Sequence, residues 1–216
     1  MTISTIATLQ AAAESWAERE FTDALFLEWA NAVSRKLMHG VMGPDGRTWI
    51  VPPLRYRGME ATTTLTTSGA SVAVPADWLE FKRIWIDAND GKDLIYTPLS
   101  QFKTDADSQS TGTPTKYTID GGTLYVAPTS DAELEVTYYQ TLGAFTGDAS
   151  TDAVLTNNPE VYLSGVLAEA YRWIRDTDGV ALEQAEFAAK VRGLNAEDKR
   201  AQTSGSILVA RPQMVS

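Results

Sequence analysis

The chain has 216 residues, a formal net charge of −10 and no cysteine. This length suits one large domain or one domain that carries an insertion. The lack of cysteine excludes disulfides, thiolate nucleophiles and cysteine-ligated zinc, and the acidic balance argues against a general basic field for nucleic acid. No apolar run approaches the roughly 18 residues of a membrane span, and residues 1–9 lack the pattern of a signal peptide.

Two helices are predicted before residue 40. In the first, over residues 5–18, apolar residues recur at the three- and four-residue spacing of one helical face: Ile6, Leu9, Ala13 and Trp16. The second begins at Thr22 and Asp23, which offer a cap and early negative charge, and ends at His39. Gly40 is expected to close it in the left-handed conformation. Its predicted inner face consists of Leu25, Trp29, Ala32, Val33 and Leu37.

The middle of the chain changes to the period of two that is typical of strands, from about residue 57 to 140. A turn at Gly43-Pro44-Asp45-Gly46 precedes this segment. Asn89-Asp90-Gly91 and Asp120-Gly121-Gly122 are predicted as hairpin turns, and residues 101–114 as a polar loop. The predicted strands are 62–67, 71–74, 81–87, 94–96, 117–119, 124–126 and 133–139.

The last part of the chain returns to helical spacing after a predicted linker at 142–157. Asn158-Pro159-Glu160 has the features of a helix start, and the helix that follows to about residue 176 is apolar on two faces. Such a helix is expected to lie buried between neighbours. Its two stripes are Tyr162, Val166, Ala170, Trp173 and Ile174, and Leu163, Leu167 and Tyr171. Thr177-Asp178-Gly179 is predicted to break it, and a final helix over 180–200 presents Phe187, Val191 and Leu194 inward.

These elements predict an α+β fold: a helical bundle of two N-terminal and two C-terminal helices, with an inserted antiparallel β-domain and an extended C-terminal tail. The predicted boundaries are 1–56 for the N-terminal helices, 57–141 for the β-domain, 142–201 for the C-terminal helices and 202–216 for the tail.

Candidate catalytic groups are few, and we predict no enzyme activity, no cofactor and no metal. The single histidine, His39, lies in the last turn of a helix and has no second ligand nearby in the sequence. A G-x-S-x-G nucleophile elbow is absent. Acidic residues could serve glycoside hydrolysis or magnesium, but we interpret them as solvated loop acids: Asp87, Asp90, Asp93, Asp105, Asp107, Asp148 and Asp152.

Glycine and basic clusters do not indicate nucleotide or nucleic-acid binding either. Gly112-Thr113-Pro114 and Gly121-Gly122 precede strands, whereas a phosphate loop precedes a helix. Basic residues group at Arg55-Tyr56-Arg57, at Lys82-Arg83 and within 190–200. In a chain with this net charge, we interpret these groups as local ion pairs or subunit contacts.

Several motifs, in their order and spacing, carry a family resemblance. They are Trp16-Ala17-Glu18-Arg19 with 21–25, the segment 74–80, Gly112-Thr113-Pro114 with 117–128, Val136-Thr137-Tyr138-Tyr139, and 159–163 with 167–170. Over about residues 5–200 the chain resembles the head-to-tail adaptor (connector) proteins of short-tailed bacteriophages. Gly165 departs from the family, which usually has a bulkier residue there, and residues 43–53 do not align with it.

The resemblance implies a homo-oligomeric ring, expected to be dodecameric, that docks under the portal protein of the capsid. The tail nozzle or fibre proteins would attach below, and DNA would pass through the lumen without sequence-specific binding. It implies no activity and no membrane contact. It locates the protein at the head–tail interface of the virion, and in the host cytoplasm during assembly.

The tail is the candidate portal-docking segment, by a disorder-to-order change. Its anchors would be Ile207, Leu208, Val209, Arg211 and Met214. A frayed C-terminus without a function is the alternative for this segment.

Two other functions remain open at this point. One is a tail-associated binding module for fibre attachment or receptor binding, with a β-domain on a helical base. The other is a carboxylate-dependent hydrolase of cell-wall glycan. Fibre proteins usually show trimeric repeats, which this sequence lacks, and a hydrolase needs two acids on rigid elements.

Overall fold

The computed structural model describes residues 2–86, 93–104 and 110–203. Its helices are α1 (Ile6–Ala17), α2 (Asp23–His39), α3 (Leu99–Thr104), α4 (Ala153–Asn157), α5 (Pro159–Ile174) and α6 (Thr177–Thr203), with a 3-10 turn at Arg57–Met59. Its strands are β1 (Val41–Met42), β2 (Trp49–Val51), β3 (Glu60–Thr66), β4 (Ser71–Ala73), β5 (Trp78–Trp85), β6 (Ile95–Tyr96), β7 (Lys116–Asp120), β8 (Thr123–Ala127) and β9 (Glu133–Gln140). The predicted α+β class is confirmed.

The chain divides into two compact units. A helical unit contains the described residues up to Arg57 and those from Gly143 onward, and a β-unit comprises Gly58–Leu142. The β-unit is thus inserted in sequence between the two halves of the helical unit. None of the helices within the described ranges is long and apolar enough to cross a bilayer.

The first two helices begin and end close to their predicted positions. Thr5 caps α1: its hydroxyl accepts a hydrogen bond from the Thr8 amide at 3.4 Å, and the Thr8 hydroxyl accepts one from the Thr5 amide at 3.0 Å. Glu18 then ends α1 in the left-handed conformation, with φ of 52°. Gly40 does not adopt the predicted left-handed conformation. Its φ is 72° and its ψ is 178°, and the chain continues directly into β1.

Helix α5 lies at the centre of the helical unit. Both of its faces are buried, as predicted, because it packs against α1 and α2 on one side and α6 on the other. A Cβ atom on Gly165 would lie 2.6 Å from Cγ1 of Val33 on α2 and 3.3 Å from the Phe187 ring on α6. The absence of a side chain at Gly165 therefore lets three helices approach closely.

Two helical predictions are wrong in part. The buried stripe of α2 also contains Phe26, Ala30 and Ser34, whereas Leu25 and Ala32 are half-buried. Thr177-Asp178-Gly179 is not the point at which the helix is interrupted; it forms the first turn of α6. The break falls at Arg175, with φ of 66°, after which the Asp176 carboxylate accepts hydrogen bonds from the backbone of the new helix.

The β-unit contains two sheets. β9 lies between β3 and β5 in an antiparallel three-stranded sheet, and the other sheet has the order β4-β8-β7-β6. β7 and β8 form the predicted hairpin, in which Gly121 and Gly122 supply positive φ angles of 58° and 79°. The core of the unit consists of Ile84, Ile86, Leu94, Leu124, Val126, Leu134, Val136 and Tyr138.

The inserted β-unit departs from the prediction in two respects. It is not wholly antiparallel, because β6 pairs with β7 in parallel. Residues 99–104 form α3, which buries Phe102, where a polar loop was predicted from residue 101. In the helical unit, the predicted linker at 142–157 likewise ends in a short helix, α4. The predicted turn at 89–91, Asp105 and Asp107, and the tail from residue 204 lie outside the described residues.

The close approach at Gly165 generates a stability prediction. Gly165→Ala should destabilise the chain by about 1–3 kcal/mol, because the new methyl group overpacks the contact with Val33. The measurement is the midpoint of urea unfolding. Gly193→Ala is the matched control: it also lies in a helix, but a Cβ there meets nothing within 4 Å, so helix propensity should raise stability by up to about 1 kcal/mol. Equal effects at the two glycines would contradict the packing account.

Candidate interaction surfaces

The described residues offer little for catalysis. Residues 2–86, 93–104 and 110–203 contain no group of three or more histidine, aspartate or glutamate side chains that could hold a metal ion. His39 is exposed in the last turn of α2. The candidate anchors of the tail lie outside the described residues: Ile207, Leu208, Val209, Arg211 and Met214.

One acid that was interpreted as a solvated loop residue is partly buried and has a structural role. Asp152 caps α4 by accepting the Leu155 amide at 2.7 Å, and its second oxygen accepts the Tyr162 hydroxyl at 2.6 Å. Burial raises the pKa of the Asp152 carboxyl above its usual value, and burial also raises the pKa of the Tyr162 hydroxyl. Asp152 therefore holds α4 onto α5, which is a structural role. Asp93, in the β-unit, forms an exposed ion pair with Arg83.

The basic segments make local bonds, as expected. The Arg55 guanidinium donates to the Met38 and Leu54 carbonyls, and the Arg55 amide donates to Asn195 of α6 at 2.8 Å. Lys82 pairs with Glu60 at 2.5 Å in the β-unit. These contacts fix the backbone in position and do not create a continuous basic surface.

One end of the helical unit carries a cluster of three aromatic rings, Phe21, Trp29 and Trp173. We call this region, together with Trp16 in the last turn of α1, the aromatic end. The Phe21 ring packs edge-on against Trp29 at 5.0 Å and against Trp173 at 6.1 Å. Phe21 is fixed because its amide donates to Glu14 at 2.9 Å. Trp16 and Trp173 were predicted in core stripes, yet they are 65% and 54% exposed.

The other end of the helical unit carries the β1–β2 hairpin, which we call the hairpin end, with Met42, Trp49 and Ile50 exposed. Its backbone is anchored on α6, where Arg192 donates to the Ile50 carbonyl at 2.8 Å. At its tip, hydrogen bonds from Thr48 and the Arg47 amide hold the pKa of the Asp45 carboxyl at about 2. A rigid hairpin therefore displays apolar side chains to solvent.

The β-unit has its own exposed features. Ile95 and Tyr96 of β6 and Tyr125 of β8 are large apolar side chains on its surface. A separate groove of about 530 Å³ is lined in part by Asp131, Glu133 and Glu135.

Sequence reasoning missed the two exposed ends of the helical unit. Helical spacing predicted that Trp16 and Trp173 lie in the core, because spacing identifies the apolar face of a helix. It does not show how far along the helix that face is covered by packed neighbours. The hairpin spans residues 41–51, where only the turn at 43–46 was predicted and where residues 43–53 did not align with the family. An available signal was the pair Trp49-Ile50 beside a turn and outside any predicted element.

The partly buried carboxyl of Asp152 generates a pH prediction. Because its pKa in the folded state lies above the usual 3.8, the folded protein binds this proton more tightly than the unfolded chain. Its contribution should therefore make the wild type less stable, relative to Asp152→Asn, as the pH rises from about 4 to 7. Urea unfolding of both proteins across this range measures the difference, and a difference that is independent of pH would contradict the account. Asp152→Ala, which removes the cap, should cost about 1–2 kcal/mol near pH 4 and less near pH 7, because the wild type loses the contribution of the protonated carboxyl as the pH rises.

Comparison with known proteins supplies the family. The sequence model of the SU10 adaptor protein family matches residues 4–210. No curated protein matches the chain. The match covers nearly all of the described helices and strands, and it confirms the resemblance to phage adaptors. Adaptors of this kind are structural components of the virion. The chain therefore belongs to the SU10 adaptor protein family.

Proposed function

We propose that this phage adaptor forms a homo-oligomeric ring of twelve chains between the portal protein and the tail nozzle, and that the ring conducts DNA during ejection. The observation that carries the proposal is the family match, which extends from residue 4 to residue 210. It includes both halves of the helical unit, the inserted β-unit and the first apolar residues of the tail.

The surface of the helical unit supports this proposal. A ring subunit needs contacts with its two neighbours and with the proteins above and below the ring. Large exposed side chains such as Trp16, Trp173, Trp49 and Ile50 are of the type that protein interfaces bury. Their distribution over separate surfaces suits a protein with several partners.

The charge of the chain suits a DNA conduit. The β-unit, Gly58–Leu142, contains twelve acidic and five basic residues, so that it carries −7 of the total −10. Twelve chains at −10 each give a ring of about −120. A lumen that carries part of this charge repels the phosphate backbone and lets DNA slide. A net positive lumen in the assembled ring would contradict this part of the proposal.

A second candidate function is a tail-associated binding module for fibre attachment or receptor binding. The exposed Ile95 and Tyr96 on β6, at the edge of a sheet, favour it. An edge strand can add a strand from a partner. Binding to a fibre protein without any binding to the portal would favour this function over the ring.

The ring is tested by mixing the purified chain with the portal protein and imaging the product by electron microscopy. We expect an additional ring on the narrow end of the portal. The isolated chain can remain monomeric, since a template supplies the geometry that closes the ring, so sizing of the free chain does not decide the question. Portals that stay bare at saturating concentrations of the chain would contradict the proposal.

The tail generates a separate prediction. Deletion of residues 204–216 should weaken docking to the portal by at least about tenfold and leave the unfolding midpoint unchanged, because α6 ends at Thr203. The triple variant Ile207→Ser/Leu208→Ser/Val209→Ser should reproduce most of the loss. Truncation after Ala210 is the matched control, since it keeps this apolar segment. Docking of the triple variant at the wild-type affinity would reject the anchoring role of these three residues.

A further inference from the structure

The two ends of the helical unit carry opposite charge. Residues 14–28, around the aromatic end, contain five acidic residues and one basic residue, a net of −4. Residues 35–57, which include the hairpin end, contain five basic residues and one acidic residue, a net of +4 with His39 neutral. α2 connects these segments and has 17 residues, which corresponds to about 25 Å. The unit is therefore electrically polar along α2.

Several exposed charges at these ends have no partner of opposite sign among the described residues. Glu18, Glu20 and Glu28 are exposed, and none of them forms an ion pair with a residue of the described chain. Arg35 and Arg47 are exposed at the other end and are likewise without an acidic partner among the described residues. The one acid of the hairpin, Asp45, is occupied by hydrogen bonds within its own loop. Lys36 pairs with Glu169 of α5, so the positive charge that is available to an external partner is that of Arg35 and Arg47.

Each end also has an apolar centre inside its charged surroundings. Trp173, beside Phe21 and Trp29, provides it at the acidic end. Trp49, Ile50 and Met42 provide it at the basic end. Trp is over-represented among the residues that contribute most to protein–protein binding, and opposite charges around such a centre set the orientation of the partners. The two ends are complementary in charge, and both are apolar at the centre. One end of a first copy of the chain can therefore bind the other end of a second copy.

We propose that the aromatic end of one subunit binds the hairpin end of the next subunit in the ring. The proposal rests on the proposed function, since it names the contact that joins the subunits. A contact between two different surfaces of the same chain is head-to-tail, and it closes into a ring when the rotation per subunit is a whole fraction of a turn. A contact between two identical ends would pair like charges and would stop at a dimer.

Charge reversal tests the contact. One variant is Arg35→Glu/Arg47→Glu at the hairpin end, and the other is Glu20→Arg/Glu28→Arg at the aromatic end. All four side chains are exposed, so each isolated variant should unfold at the wild-type midpoint. Each variant alone juxtaposes like charges between copies. The concentration of subunit that gives half-maximal ring formation on the portal should then rise by at least about tenfold.

An equimolar mixture of the two variants is the decisive sample. It contains the same substitutions as the two separate samples, but it offers surfaces of opposite charge to each other. In the mixture, the charge-reversed hairpin end of one variant can bind the charge-reversed aromatic end of the other variant. The unchanged hairpin end of the second variant can bind the unchanged aromatic end of the first. The mixture should form rings of alternating subunits near the wild-type concentration. A mixture that assembles no better than either variant would overturn the contact and assign the two ends to the portal or the nozzle. If the wild type forms no ring on the portal, the proposed function fails, and this result is distinct from a failure of the contact alone.

Discussion

The helical unit depends on the close approach of α2, α5 and α6 at Gly165. A side chain at this position would meet Val33 from one side and Phe187 from the other, so the three helices can pack only around a bare backbone. The two segments that form the unit are separated in sequence by the whole β-unit. α2 belongs to the first segment and α5 to the second. The contact at Gly165 is thus one of the points at which the two halves of the chain become one core.

This packing also determines what the ends of the unit expose. In the last turn of α5, Trp173 is about half exposed beside the buried Phe21 and Trp29. At the other end, α6 holds the backbone of the β1–β2 hairpin through Arg192, and the apolar side chains of the hairpin face outward. A rigid core with apolar, oppositely charged ends suits a subunit that functions by assembly.

The sequence predicted features that depend on local chemistry. The β7–β8 hairpin follows from two glycines between alternating strands, and the start of α5 follows from Pro159 in the first turn. The two buried faces of α5 were also predicted, because its apolar residues leave no polar side. The family resemblance, which depended on the order of such local motifs, was correct.

Features that depend on distant parts of the chain were not predicted. The parallel pairing of β6 with β7 joins segments that are separated by about twenty residues. Asp152 is partly buried because it bonds to Tyr162 and caps α4, which its position in a predicted linker did not show. The exposure of Trp16 reflects where its covering helices end, which helical spacing does not report. The interaction surfaces were missed for this reason, and Gly165, which looked like a departure from the family, proved to be a packing requirement.

Disulfide trapping between subunits tests the head-to-tail contact most directly. The chain has no cysteine, so Trp16→Cys/Ile50→Cys introduces one thiol at each end of the helical unit and no other. Mild oxidation of this variant assembled on the portal should give a ladder of covalent oligomers that extends to the complete ring. Each single-cysteine variant should give none. Complete rings that yield no interchain disulfide, under conditions where both thiols react with a small-molecule label, would contradict the head-to-tail contact.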